Sequence, residues 1–255
     1  MKDREVSTLS GVLKKDGRTV IVAMDHGGFM GVAPGWENPG PVIEAVVKGG
    51  ADAIMTTFGL LKKYGSLMEE RVGLILSVPL LGDEMRNAAR LAKSMRADCL
   101  KIFVVIGAED EAANLASLWR SSLACHNEGV ALLAEMFPVK GTKVQNPSDK
   151  EVVKKYARIA AEYGADMVKT FYTGSAESFK EVASTSLVPV VILGGEKTET
   201  DLDLLRAVEG SVKAGGAGVA MGRNVWQHKS PESITRAIAR VVHDGYTAEK
   251  AAKEL

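Results

Sequence analysis

The stretch ADCLKIFVVIG, residues 97–107, opens on a small residue and an aspartate. It continues as an almost unbroken apolar, β-branched run with a single lysine inside it. ADMVKTFY at 165–172 repeats the phrase, lysine included. Six further runs of the same kind lie at 19–25 (TVIVAMD), 51–57 (ADAIMTT), 72–79 (VGLILSVP), 131–138 (ALLAEMFP), 189–195 (PVVILGG) and 217–224 (AGVAMGRN). Near-continuous apolar runs are what strands buried on both faces look like.

Between most of these runs the pattern changes to helical spacing. Residues 85–95 and 150–163 place apolar side chains every three or four positions with charges between them. Residues 200–215 do the same and close on a glycine pair suited to a helix C-terminus. Asn146-Pro147-Ser148-Asp149 has the composition of a helix start. Runs that begin roughly 20–35 residues apart fit a repeated βα unit. Eight such units predict a (β/α)8 TIM barrel of the α/β class, a single domain over 1–255. A doubly wound open sheet is the alternative. Its usual Gly-rich first turn is not what Met24-Asp25-His26-Gly27-Gly28 supplies.

The bulk properties narrow the function. Of 255 residues, 46% are hydrophobic, and 32 basic residues balance 32 acidic ones. Zero net charge argues against nucleic acid as a partner held by bulk electrostatics. No apolar run reaches membrane-spanning length, so no membrane partner is expected. Met1-Lys2-Asp3-Arg4-Glu5 lacks the apolar core of a signal peptide. The only cysteines, Cys99 and Cys125, form no Cys-x-x-Cys pair and read as buried thiols. A cytoplasmic protein is the expectation.

A barrel carries its active site at the C-terminal ends of the strands. There the most informative residues are Lys101 and Lys169. Each lies inside an apolar run, where an ammonium is costly unless paired or neutral. Each follows the alanine of an Ala-Asp pair by four positions, an offset that gives Met55 and Met221 in the second and eighth runs. Alternate strands share interior layers, so these four side chains are expected in one layer. Two lysines so placed should depress each other's pKa. A neutral amine is the nucleophile of Schiff-base chemistry. Lys169 and Lys101 are therefore catalytic candidates, with Asp25, at the end of the first run, as the carboxylate that moves protons. A lysine that merely reaches solvent from a strand end is the plainer alternative.

Gly194-Gly195 and Gly222-Arg223 follow the seventh and eighth runs, where barrels frequently bind phosphate through backbone N–H groups. Arg223 would add a charged fork, and Lys197 could assist. Tight turns are the plainer reading of the glycines. His26 is a candidate substrate contact, whereas His126, His228 and His243 read as surface or packing residues. No two histidines have ligand spacing on one element, so no metal residue is assigned. Magnesium held by carboxylates and substrate phosphate stays open. Glu109, Asp110 and Glu111 read as first-turn helix charges, or as rim or subunit contacts. Tyr172 should point away from the Lys169 face, unless it turns inward in the loop. Trp36, in the Gly- and Pro-punctuated segment 29–41, is either a substrate wall or a packed loop residue.

These motifs carry a resemblance. Val22-Ala23-Met24-Asp25-His26-Gly27, Gly164-Ala165-Asp166-Met167-Val168-Lys169-Thr170 with Tyr172-Thr173-Gly174, Gly194-Gly195-x-Lys197-Thr198 and residues 218–228 resemble the archaeal-type class I fructose-bisphosphate aldolases. That family belongs to the deoxyribose-phosphate and tagatose-bisphosphate aldolase-like group. The group includes aminodideoxyheptulosonate synthases and the autoinducer-2 phosphate thiolase. The resemblance implies a barrel with a Schiff-base lysine at Lys169, an aspartate at Asp25, and phosphate loops at Gly194-Gly195 and Gly222-Arg223. It implies a metal-independent aldehyde-lyase of carbohydrate metabolism that needs no cofactor beyond the covalent imine and acts on a small phosphorylated carbonyl substrate. It also implies a higher homo-oligomer, often a decamer. In the family's Met-Tyr-Pro-Arg-Gly motif this chain reads Met136-Phe137-Pro138-Val139, without the tyrosine or the arginine. Leu100-Lys101-Ile102-Phe103 is similar to the tagatose-bisphosphate aldolases, which pair a second lysine with the first. The expected function is a class I Schiff-base aldolase. A Schiff-base transferase or thiolase is the first alternative, and a non-catalytic sugar-phosphate-binding barrel the second.

Overall fold

A computed structural model describes residues 9–68, 72–79, 84–195 and 198–255. Eight parallel strands, β1 (Thr19–Ala23), β2 (Ala53–Thr56), β3 (Gly73–Val78), β4 (Cys99–Ile106), β5 (Ala131–Pro138), β6 (Met167–Thr170), β7 (Val190–Leu193) and β8 (Gly218–Met221), close in sequence order. The closure makes a (β/α)8 barrel and rules out the open sheet. Each strand sits inside its expected run, and most are shorter, because the last residues of the runs have left the ladder to form the catalytic-end loops.

Helices follow the strands: α1 (Gly27–Met30), α2 (Pro39–Lys48), α3 (Phe58–Met68), α4 (Met85–Ser94), α5 (Glu111–Glu128), α6 (Lys150–Glu162), α7 (Ala176–Thr185), α8 (Asp201–Lys213), α9 (Arg223–Trp226), α10 (Pro231–His243) and α11 (Ala248–Ala252). The expected helix start at 146–149 is real. Asp149 caps α6 by accepting hydrogen bonds from Glu151 N at 2.9 Å and Val152 N at 3.2 Å. Thr200 caps α8 in the same way through Asp203 N. Among the described residues no helix is long and apolar enough to cross a membrane.

Two apolar layers result. An outer layer lies between strands and helices, with Met24, Leu100, Val168, Phe179 and Trp226 in it. An inner one fills the barrel with Ile21, Met55, Ile75, Cys99, Leu133, Met167 and Val191. Cys99 and Cys125 are buried free thiols. Burial raises the Cys125 thiol to about 12, as expected of packing residues.

The aspartate of the recurring phrase has a definite task. Asp52 accepts a hydrogen bond from Val20 N (2.7 Å), Asp98 from Leu74 N (2.8 Å) and Asp166 from Leu132 N (2.7 Å). Each aspartate thus precedes an even-numbered strand and clamps the backbone of the strand before it, at the N-terminal end of the barrel. At β8 the clamp is missing: Ala217 stands where the aspartate would be. The next residue, Gly218, is at φ +119°, and a Cβ on it would lie 2.0 Å from the Thr19 carbonyl oxygen.

That irregularity corrects one expectation. Met55, Lys101 and Lys169 do face the barrel interior, but Met221 packs in the outer layer and Ala220 faces inward instead. The better reference point is the left-handed residue that ends the preceding helix: Gly50, Arg96, Gly164 and Gly215, all at positive φ. Met55, Lys101, Lys169 and Ala220 each follow it by five. Counting from Ala217 displaces β8 by one residue, and in a strand one residue exchanges the two faces.

Candidate active site

All eight residues expected at the site line one cavity at the C-terminal end of the barrel. They are Asp25, His26, Lys101, Lys169, Gly194, Gly195, Gly222 and Arg223. Its volume, about 190 Å³, lies below the ~300–1,000 Å³ typical of drug-sized ligands, which suits a small metabolite.

The centre of the site is a residue the sequence reading passed over. Glu135 on β5 is paired in register with Lys169 on β6. Its carboxylate lies between the two lysines, with Oε1 2.7 Å from Lys169 Nζ and Oε2 2.6 Å from Lys101 Nζ. Lys101 also donates to Asp25 Oδ2 at 3.0 Å, and Ser77 on β3 donates to the same oxygen at 2.7 Å. The result is a continuous chain, Ser77–Asp25–Lys101–Glu135–Lys169, of two ammoniums and two carboxylates, all four ionisable side chains buried. A buried charge that loses its partner is strongly destabilising, so this alternation of sign is what lets four such groups share the interior.

It also reverses one electrostatic expectation. Burial works against the Lys101 ammonium, but Glu135 and Asp25 outweigh burial and raise its pKa above the ordinary lysine value. Lys101 is therefore the charged partner. Burial likewise works against both carboxylates. Lys101 and Lys169 hold Asp25 far below its usual range, and Lys169 and Lys101 hold Glu135 below its own. His26 moves down because it is buried and because Lys169 and Arg223 are cationic, in spite of Asp25 3.6 Å from its Nδ1. A neutral imidazole is the consequence.

The opposite wall is built from the β7 and β8 loops. Arg223 Nη2 donates to Gly195 O at 2.7 Å, and Gly195 is left-handed at φ +60°. Buried Arg223 Nε makes no hydrogen bond among the described residues. Asn224 ties the loops together. Its Nδ2 donates to Gly194 O at 2.9 Å, and its Oδ1 accepts from Thr198 N at 2.9 Å. Gly222 has to be glycine, since a Cβ there would meet His26 Cε1 at 2.3 Å and Ala23 O at 2.8 Å. Lys197 lies outside the described residues.

The family model of the DeoC/LacD family aldolases matches residues 19–228. This chain belongs to that family. It is 33% identical to an uncharacterised aldolase of Saccharolobus solfataricus, over 94% of each protein. It is 32% identical to the 2-amino-4,5-dihydroxy-6-oxo-7-(phosphonooxy)heptanoate synthase of Streptomyces griseus, over 90% of this chain and 86% of that one. Among solved structures, an archaeal fructose 1,6-bisphosphate aldolase superposes with a TM-score of 0.80 at 30% identity, covering 93% of this chain and 98% of the other. Another solved structure of an archaeal fructose-1,6-bisphosphate aldolase, its catalytic lysine covalently bound to the carbinolamine intermediate of the substrate, gives 0.79 at 29% identity over 92% and 97%.

Within this aldolase-family barrel the remaining candidates sort themselves. Phe137 lines the cavity, packed at 5.0 Å between centroids against both Phe103 and Phe171. Position 137 thus faces the site without a hydroxyl, while Glu135, two residues earlier on the same strand face, supplies a carboxylate. Tyr172 points outward and packs on Phe179. Trp36 is buried against Trp226 at 5.0 Å and is a packed loop residue, whereas Phe29 and Met30 of α1 reach the cavity. Glu111 is a first-turn helix residue that accepts from Gly107 N and Tyr156 Oη. Among the described residues no three His, Cys, Asp or Glu side chains gather as a metal cluster.

Proposed function

We propose that this chain is a class I, metal-independent aldolase that makes or breaks a carbon–carbon bond in a phosphorylated ketose through an imine on Lys169. The observation that supports this best is the short contact of Lys169 Nζ with Glu135, at one end of a continuous chain of proton-carrying groups. Kinship with the archaeal fructose-bisphosphate aldolases supports it too.

In the cleavage direction Glu135 takes a proton from Lys169, and the freed amine attacks the substrate carbonyl. The same carboxyl returns the proton to the carbinolamine oxygen, which departs as water and leaves an iminium. Asp25 accepts the proton of the hydroxyl on the far side of the scissile bond. The bonding electrons pass to the iminium nitrogen, the aldehyde leaves, and an enamine remains. Protonation of the enamine carbon and hydrolysis by water restore Lys169. Lys101 stays charged, holds Asp25 and Glu135 anionic between steps, and polarises the reacting oxygen. Arg223 and the backbone N–H groups of Gly195 and Gly222 hold the phosphate.

A Schiff-base transferase or thiolase is a second reading, favoured by Phe137, which puts no proton donor where the aldolases it resembles have one. Dependence on coenzyme A or another second substrate separates the two. A single domain over 1–255 and the homo-oligomer belong to the same proposal, and light scattering reads the latter.

Borohydride trapping with dihydroxyacetone phosphate or fructose 1,6-bisphosphate, followed by peptide mass spectrometry, tests the main reading. The expected adduct is chelator-insensitive and sits on the peptide with Lys169. Lys169→Met is expected to abolish it and to lower turnover roughly 10⁴-fold or more. An adduct on Lys101, or none with any carbonyl ligand, sinks the assignment of Lys169.

A further inference from the structure

The two sides of the cavity differ in kind. In a closed ring of eight strands, β4 lies diametrically across from β8. The β8 side carries Arg223, the one cation lining the cavity, among the described residues, that has no carboxylate partner. The β4–β5 side carries Phe103 and Phe137, whose rings stack into one aromatic wall that continues to Phe171. Among the described residues lining the cavity, no cation on that side is free to meet a second anion, because Lys101 is held by Asp25 and Glu135. The loops after β1 and β2, beside β8 in the ring, expose apolar side chains too. Phe29 is 71% exposed and Val32 79%, both after β1, and Phe58, which opens α3 after β2, is 40% exposed. Of these Phe29 lines the cavity, and exposed apolar groups at an opening are characteristic of a ligand-binding groove.

We infer that the substrate carries a single phosphate, held at Arg223, and that its other end is an aromatic or branched aliphatic chain seated on Phe103 and Phe137. This rests on the aldolase reading of the same site and names its substrate class. In the addition direction a three-carbon ketone monophosphate becomes the enamine on Lys169 and its carbon attacks an apolar aldehyde. One carbon–carbon bond forms, the aldehyde oxygen takes a proton, and water hydrolyses the resulting imine. A second phosphate or a polyhydroxylated tail would lose its hydration against phenyl rings that return no hydrogen bond.

Equilibrium binding of benzyl phosphate and of fructose 1,6-bisphosphate to the full chain is the first test, because it needs no chemistry. Benzyl phosphate is expected to bind at least about tenfold tighter, the scale of a pocket's discrimination on apolar contacts. The second test is turnover with dihydroxyacetone phosphate and either phenylacetaldehyde or glyceraldehyde 3-phosphate, with phenylacetaldehyde expected to have the higher kcat/KM by about 10–100-fold. Phe137→Arg should reverse both preferences. Phe103→Arg, at a side chain already 37% exposed, serves where the first variant fails to fold. Tighter binding of the bisphosphate, or equal turnover of the two aldehydes, overturns the inference whether or not an imine forms. A preference for benzyl phosphate with no imine from any carbonyl compound overturns the aldolase reading and leaves the single-phosphate, apolar-tail site standing.

Discussion

The two ends of the barrel both bury carboxylates, and they use them differently. At the N-terminal end Asp52, Asp98 and Asp166 each accept a backbone N–H from the neighbouring strand. At the C-terminal end Asp25 and Glu135 meet side chains that can themselves gain or lose a proton. A backbone amide has no proton to give at any ordinary pH, so that bond can only hold a register, although Asp52 also meets His243 at 2.7 Å and Lys14 at 3.5 Å. An ammonium has one, so the second can move charge. Burial and acidity alone do not separate structural from chemical carboxylates; at the C-terminal end the titratable partners themselves line the cavity.

The largest effect that would break this comparison lies at Glu135. Glu135→Gln keeps the side chain's shape but removes the proton acceptor between the lysines. It is expected to lower kcat by about 10²–10⁴, and borohydride should trap the imine more slowly. A variant with the same kcat and the same pH profile as the parent would make Glu135 a mere spacer.

At the other end, Asp98→Ala leaves Leu74 N without its acceptor. The expected cost is about 1–3 kcal/mol of stability, read by urea unfolding, with turnover of the folded protein unchanged. A loss of turnover with no loss of stability would erase the distinction between the two ends.

The smallest effect is a pH dependence that distinguishes them. His243 bridges Asp16 and Asp52 at 2.7 Å each, and the hydrogen bond it donates to Asp52 raises its pKa above the usual histidine value in spite of burial. Its contribution is therefore fully present below about pH 6.5, the unfolded value, and is lost as pH rises through the folded one. Asp25 and Glu135 are lowered, so theirs is present above about pH 4 and is lost only as pH falls. Melting curves from pH 5 to 9 should show the parent losing about 2 °C that His243→Asn does not lose. An equal slope in both proteins would remove His243 from the N-terminal network.

The strands, the lysines and the phosphate loops could be read in the sequence because each breaks a local rule in a visible way: ammoniums in apolar runs, glycines after strands. Glu135 breaks the same rule inside ALLAEMFP, two residues before Phe137. The hydroxyl absent at 137 obscures it, since that departure from the family motif points to a lost group rather than to the charge present at 135. The inward–outward alternation places both on one face, so the signal was there. What the pattern did not contain was pairing. That Lys101 gains a proton-holding partner, rather than repelling Lys169 directly, depends on β5 lying between β4 and β6. The phase of β8 failed for a related reason. Its alanine is offset by one residue from its counterparts in β2, β4 and β6, and only the backbone dihedral of Gly215 shows the true reference.

Gly218 has a consequence for how the chain assembles. Seven strand pairings join neighbours in sequence, whereas β8 and β1 come from opposite ends of the chain. Closing the longest loop carries the largest entropy cost, so that joint is expected to form last. The joint lies outside the aspartate clamps, which tie β1–β2, β3–β4 and β5–β6, and rests on the one residue type without a Cβ to strike Thr19. Gly218→Ala would accordingly act late in folding. It would slow or prevent the final closure and trap a curled, seven-jointed sheet whose two raw edges face each other and are free to find other chains.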